Sequence, residues 1–318
     1  MDNSLKTKLL QLECHFTWDF KKEDTSIADL EERLHEEIQF SQKKYKGSSY
    51  NYLAYVKHMQ GLNKEALTFL EQAEEITRKD HGDEFEKLVI VTYGNFAWVY
   101  YHMGELTKTQ SYLEKLEDIC KKFPNKASRY SVLLPAVYGE KGLSFLKVCA
   151  KYYDRAKECI EKALAEEPDE KEWNTGYAIA LYRLERMEQD NITVKSSAAL
   201  KQLTCAQKLD PENPIIIAFL ALKLQQSKQG AIKHFKEGLQ IQYPSLEHKR
   251  CYDKLKEISR RRIEWNPKDG GTLWFIHQMK DRKLQAIEYC EKALLCDHGN
   301  EEYLSALCDL HLSLNKND

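Results

Sequence analysis

Apolar residues recur along this chain with helical spacing almost from end to end. Residues 4–14 and 27–45 both read as helices. In the second, Leu30, Leu34 and Ile38 form one apolar stripe, behind a cap expected near residues 24–26. A denser pattern follows. Tyr50, Leu53, Ala54, Gly61, Ala66, Leu70 and Ala73 predict two helices joined by a glycine turn, and Tyr93, Phe96, Ala97, Tyr100, Gly104, Leu106 and Leu113 repeat the arrangement. Tyr153, Ala156, Ile160, Ala163 and Pro168 give its second half again. Ala199, Leu203, Ala206 and Pro211 do so once more, after a polar insertion at residues 186–196. Further helices are expected over PIIIAFLALKLQ, GAIKHFKEGLQI and EHKRCYDKLKEISRRRI, before a closing pair built on Leu273, Trp274, Ala286, Cys290 and Ala293.

Small residues at the crossing of two helices, with a proline ending the second, are the signature of tetratricopeptide repeats. The equivalent slots at Ala66, Thr109, Ala156 and Ala199 lie 43 to 47 residues apart. A standard repeat has about 34, so the helices are longer than usual or the connections carry inserts. The expected architecture is all-α, a tetratricopeptide-repeat superhelix with a concave, locally basic groove. First helices line such a groove. Lys147 falls where a large aromatic usually packs, and Arg183 sits late in the next helix of that type, so periodicity points two cations at one surface. Arg33 and Glu37 lie one turn apart, a spacing whose plainest structural reading is an intrahelical ion pair.

Composition narrows the function. The chain has 318 residues, 42% hydrophobic and 31% charged, with 13 glycines and 7 prolines, which favours helix over sheet. The mean hydropathy of -0.64 argues against a membrane protein. A net charge of -2 gives no global pull on nucleic acid, so anion binding must be local. Nine cysteines without a CxxC pair, and no signal-like start, predict reduced thiols in the cytoplasm. The sequon at Asn191 is then expected to be inert. No phosphate-binding, dinucleotide or nucleophile-elbow motif is present. Cys14 and His15 are sequence neighbours and cannot serve each other as nucleophile and base, and Cys290 and Cys296 lack a second pair for zinc. No enzymatic activity, metal or cofactor is expected.

The strings LLQLECHFTW, NYLAYVKHMQGLNKEAL, YGNFAWVYYHMGEL, KYYDRAKECIEKAL and GYAIALYRL resemble the interferon-induced proteins with tetratricopeptide repeats, in that family's order. The resemblance runs from residue 5 to about 225. It resumes near residue 229 with AIKHFKEGLQI, LKEISRRRI and AIEYCEKALLCDHGNEEYLSALCDLHLSL, and further middle repeats of the family have no counterpart. It implies binding of single-stranded RNA with a 5′-triphosphate or incompletely methylated cap, viral or non-self, in a cytoplasmic antiviral response. It also implies assembly with itself or related repeat proteins, and no membrane partner. Three regions follow: an N-terminal helical cap at 1–45, repeats forming the RNA 5′-end groove at 46–225, and C-terminal helices with a basic helix at 226–318.

Carried over by position, the resemblance assigns the RNA 5′-phosphates to Arg33, Lys147 and Arg183, with Glu37 where the family has a glutamine. Glu37 brings a negative charge to that place and could favour a bound cation. Tyr153 is assigned to the first nucleotides and Glu172 to a cap guanine. Leu143 replaces a tryptophan that stacks on the cap and Ile215 replaces a tyrosine of the nucleotide pocket, so cap stacking loses its π-faces. Lys249, Lys256, Arg260 and Arg261 are assigned to RNA backbone. Two alternatives compete with this reading. One is a protein-binding scaffold, although the residues that clamp a peptide carboxylate are incomplete, with only Asn95 fitting beside Asn51, Tyr138 and Gly142. The other is a truncated form with weakened RNA binding.

Overall fold

The structure is a computed structural model that describes residues 3–24, 26–40, 45–123, 126–187, 197–211 and 213–224. Its first compact unit spans Met1–Ile192 and its second Thr193–Asp318. In the first unit, α1 (Asn3–Leu9) and α2 (Ile27–Phe40) precede three helix pairs. These are α3 (Lys46–Met59) with α4 (Asn63–Asp80), α6 (Ile90–His102) with α7 (Leu106–Lys121), and α8 (Pro135–Leu146) with α9 (Tyr153–Glu166). A single turn, α5 (Phe85–Leu88), leads into α6, and α10 (Lys171–Met187) packs on α9 and α8. In the second unit, α11 (Ala198–Leu209) packs on α12 (Pro214–Leu224).

The crossing residues do what their size suggests. Ala66, Thr109, Ala156 and Ala199 are all fully buried. Gly61 and Gly104 close the first two turns with φ of 81° and 80°, a left-handed conformation that a side chain strains. Each turn is completed by a long backward bond, from the Leu62 N–H to the Lys57 carbonyl at 2.9 Å and from the Glu105 N–H to the Tyr100 carbonyl at 3.0 Å. The repeats exceed the standard length for both expected reasons. Helix α4 has 18 residues, and the connection between α7 and α8 carries an insert.

The fold is all-α as expected, and among the described residues that insert carries its one short extended segment. A two-stranded antiparallel ribbon joins β1 (Lys126–Ser128) to β2 (Ser131–Val132), held to the core by the buried side chains of Tyr130 and Val132. The first helix is also shorter than its apolar spacing predicts. It ends at Leu9 because Thr17 Oγ1 donates to the Leu12 carbonyl at 2.6 Å and accepts the Cys14 N–H at 3.2 Å, which turns the chain. The turn sends His15 and Trp18 into the interior. Arg155 donates to the Trp18 carbonyl at 2.9 Å, and the Tyr152 hydroxyl donates to Asp24 at 2.6 Å, so this segment is fastened to α9 and its entry. Ser26 accepts the Asp29 N–H at 3.4 Å and caps α2. Leu30 and Leu34 then pack on Tyr52, Leu53 and Val56 of α3, with Val148 against the same cluster. Helix α2 is thereby fixed beside the end of α8.

Candidate nucleic-acid interface

Lys147 is not inside a helix, as its repeat register suggested. It is the residue at which α8 ends, and its ammonium lies 3.0 Å from Glu37 on α2. A cation at that point favours the helix C-terminus, where carbonyls lack partners. One of those carbonyls, that of Leu146, accepts a 2.7 Å bond from Arg183 Nη1 on α10. The Arg183 guanidinium also lies over the Tyr153 ring, 5.1 Å from its centroid, within cation–π range. Glu37 is 5% exposed and Lys147 24%, so the pair is largely withdrawn from water.

The expected Arg33–Glu37 ion pair is replaced by this longer-range one. Arg33 instead donates from Nε to the Asp29 carbonyl at 3.1 Å, an exposed bond on its own helix. Arg33 is nevertheless close enough to Arg183 for its charge to act on it. Burial lowers the Arg183 pKa, and Arg33 lowers it further against the opposing effect of Tyr153. An arginine stays protonated under such a shift. Among the described residues no carboxylate closes an ion pair with either guanidinium. Two helices therefore carry, near a lysine already in an ion pair, guanidiniums that sense each other's charge and that no acid among the described residues neutralises, an arrangement that a phosphate oxyanion would stabilise.

Near Lys147 runs a polar chain, buried at His15, Ser144, Asn95 and Asn51 and half-buried at Glu140, that sequence reasoning did not identify. His15 Nε2 contacts Ser144 Oγ at 3.2 Å, and His15 Nδ1 contacts the Asn95 amide at 3.2 Å. Asn95 reaches the Asn51 carbonyl at 3.4 Å, and Asn51 Nδ2 donates to Glu140 at 3.0 Å. Burial, and then the Lys147 charge, push His15 well below its usual pKa, so it is neutral. Burial raises Glu140 to about 7 against the opposing pull of Asn51 and Lys147. The signal for this chain was available: Asn51 lies between Tyr50 and Tyr52 and Asn95 beside Phe96, amides among aromatic residues of first helices. Both asparagines are thus engaged internally, which weakens the peptide-clamp alternative. Cys14 is buried with its thiol pushed up to about 12, so it is an inert neighbour of His15.

The remaining assigned residues are spread out. Tyr153 opens α9 and belongs to the Arg183 group. Glu172 lies near the other end of α10 and accepts the Tyr45 N–H at 3.3 Å. Eleven residues of helix place it about 16 Å along the axis from Arg183. Leu143 lines a solvent-open cleft with Trp173, Glu140 and Tyr45, and the Tyr45 and Trp173 rings stack at 5.8 Å. Ile215 is half-buried at the start of α12 in the second unit. Lys249, Lys256, Arg260 and Arg261 lie outside the described residues, as do Asn191, Cys290 and Cys296. Among the described residues no three His, Cys, Asp or Glu side chains form a group that could hold a metal ion, and no described helix is long and apolar enough to cross a membrane.

A family model for the tetratricopeptide repeat matches residues 45–122, which cover α3 to α7. Human protein IFIT1 homolog B is 42% identical over 285 residues, covering 86% of this chain and 59% of that protein. The chain spans about half the length of the curated relatives it matches. Among solved structures, a monomeric mutant of IFIT1 with Gppp-AAAA is similar at a TM-score of 0.71 and 32% identity, over 98% of this chain and 75% of that one. The human IFIT1 dimer with PPP-AAAA is similar at a TM-score of 0.65 and 32% identity, over 98% of this chain and 73% of that one.

Proposed function

Because this chain belongs to the interferon-induced proteins with tetratricopeptide repeats, we propose that it binds single-stranded RNA by its 5′ end and acts in antiviral defence in the cytoplasm. The observation that carries this is the Arg183 guanidinium, held at the end of α8 beside the Lys147–Glu37 pair, with Arg33 near enough for its charge to act on it. One guanidinium is half-buried, the other exposed, and among the described residues neither is neutralised by an acid. A terminal phosphate between them would replace lost hydration with charge-assisted bonds. Tyr153 would meet the first nucleotides and Glu172 a cap guanine further along α10, while Leu143 offers no stacking face. Lys249, Lys256, Arg260 and Arg261 would bind backbone phosphates without reading the end. Pairing with itself or a related repeat protein is part of the same proposal, since a solved relative is a dimer.

The test is a titration of the full chain with one oligonucleotide sequence carrying a 5′-triphosphate or a 5′-hydroxyl, at several salt concentrations. The triphosphate end should bind more tightly. Its log affinity should fall with log salt more steeply, by roughly 0.7 per additional phosphate neutralised. Equal affinities and equal slopes would contradict end recognition.

A further inference from the structure

The Lys147–Glu37 pair divides the cation group into two kinds of charge. Arg33 and Arg183 remain uncompensated by an acid among the described residues, whereas Lys147 is held at 3.0 Å by a carboxylate that is 5% exposed. The two partners come from separate elements. Helix α2 cannot drift away, because Leu30 and Leu34 are fully buried against α3, and Val148, next to Lys147, packs on the same cluster. The carboxylate is therefore preplaced, one turn along α2 from Arg33 and against the cation at the end of α8. An anion that approaches Lys147 meets Glu37 as well. At close range in a partly desolvated site, like charges repel strongly, and the interaction grows with each charge on the incoming group.

We propose that Glu37 is the specificity-determining residue of this site, selecting RNA ends whose terminal phosphate is masked as a diester over ends with a free terminal phosphate. This inference rests on the RNA 5′-end reading above and refines its substrate class. A free terminal phosphate loses its second proton near pH 6, so at neutral pH it carries up to one more negative charge than a diester phosphate in the same place. Arg33 and Arg183 accept either kind of end, since both kinds have oxyanions to bridge two guanidiniums. The additional charge is what a preplaced carboxylate refuses. Glutamine at this position keeps the shape and an oxygen for Lys147 but removes the repulsion.

The experiment uses the full chain and three RNAs of one sequence: 5′-triphosphate, 5′-triphosphate with a methyl ester on the γ-phosphate, and 5′-hydroxyl. The methyl ester masks the terminal charge without adding a base to be recognised. The parent should favour the methyl ester over the free triphosphate. Glu37→Gln should shift that ratio about tenfold towards the free triphosphate, the size of one close charge contact, with 5′-hydroxyl RNA unchanged. Glu37→Met, which fills the same space without charge, should shift the ratio in the same direction, and circular dichroism checks that both variants fold. If the parent distinguishes the triphosphates from the hydroxyl but neither substitution moves the ratio of ester to free triphosphate, Glu37 has no such role. If the parent binds all three RNAs equally, the 5′-end reading itself fails and this inference fails with it.

Discussion

Arg183 Nη1 donates to the Leu146 carbonyl at 2.7 Å, so a side chain of α10 closes the end of α8 one residue before Lys147. The bond uses one of five guanidinium donors and none of the charge. It holds the cation in place at a helix end where an orphan carbonyl would otherwise need water. Arg183 is thus positioned by the fold and still available to an anion, whereas Lys147 beside it is already engaged by Glu37.

Lys147→Met removes the lysine from a carboxylate that is 5% exposed. The substitution should destabilise the chain by about 1–3 kcal/mol, the cost of desolvating a group whose charged partner is lost. The double variant Glu37→Gln, Lys147→Met should recover most of that loss, because no unpaired charge is then left behind. Urea unfolding of the two variants and the parent measures both numbers. A double variant no more stable than Lys147→Met would show that the pair is not the relevant contact.

Burial raises the Glu140 carboxyl from its ordinary 4.5 to about 7. Between those values the native chain holds a proton that the unfolded chain has released. The stability contributed is full below about pH 4.5 and is lost as pH rises through about 7. His15 acts in the opposite sense, since its lowered pKa costs stability as pH falls. Comparing the parent with Glu140→Gln cancels that contribution. The parent should lose about 1–3 kcal/mol relative to the variant across this window. Unfolding midpoints that run parallel at all pH values would rule this out.

Gly142 sits where α8 crosses α9. A Cβ there would lie 2.5 Å from Ile160 Cγ1 and 3.0 Å from the Ala156 carbonyl oxygen. Backbone cannot give way as a flexible side chain can, so Gly142→Ala should cost about 1–3 kcal/mol. Gly82→Ala, where nothing lies within 4 Å of the added carbon, should change stability by less than about 0.5 kcal/mol. Thermal melts of the two variants provide the comparison, and equal effects would contradict the close crossing.

The repeat pairs were legible because their determinants are local: small residues such as Ala66 and Ala156 mark a crossing, and Gly61 and Gly104 mark a left-handed turn. The early end of α1 was hidden because Thr17, eight residues beyond it, competes for the backbone groups that would have extended the helix. The ribbon at 126–132 has no repeat to announce it, and only burial of Tyr130 and Val132 anchors it. At the candidate site, spacing along α2 suggested Arg33 with Glu37, two residues one turn apart. The partner of Glu37 was decided instead by tertiary packing, which brings the end of α8 against α2. The line from His15 through Asn95 and Asn51 to Glu140 spans separate elements, so no single stretch reveals it.

The most direct measurement of the central claim is the ratio of 5′-triphosphate to 5′-hydroxyl RNA affinity in the parent and in Arg183→Gln. Glutamine retains an N–H for the Leu146 carbonyl, so α8 keeps its closure, which circular dichroism checks, while the guanidinium charge is gone. Loss of one charge-assisted contact, roughly 1.5–3 kcal/mol, should reduce the ratio about 10- to 100-fold and leave 5′-hydroxyl RNA nearly unaffected. An Arg183→Gln chain that folds as the parent does and keeps the parent's ratio would contradict the placement of the RNA end between Arg33 and Arg183.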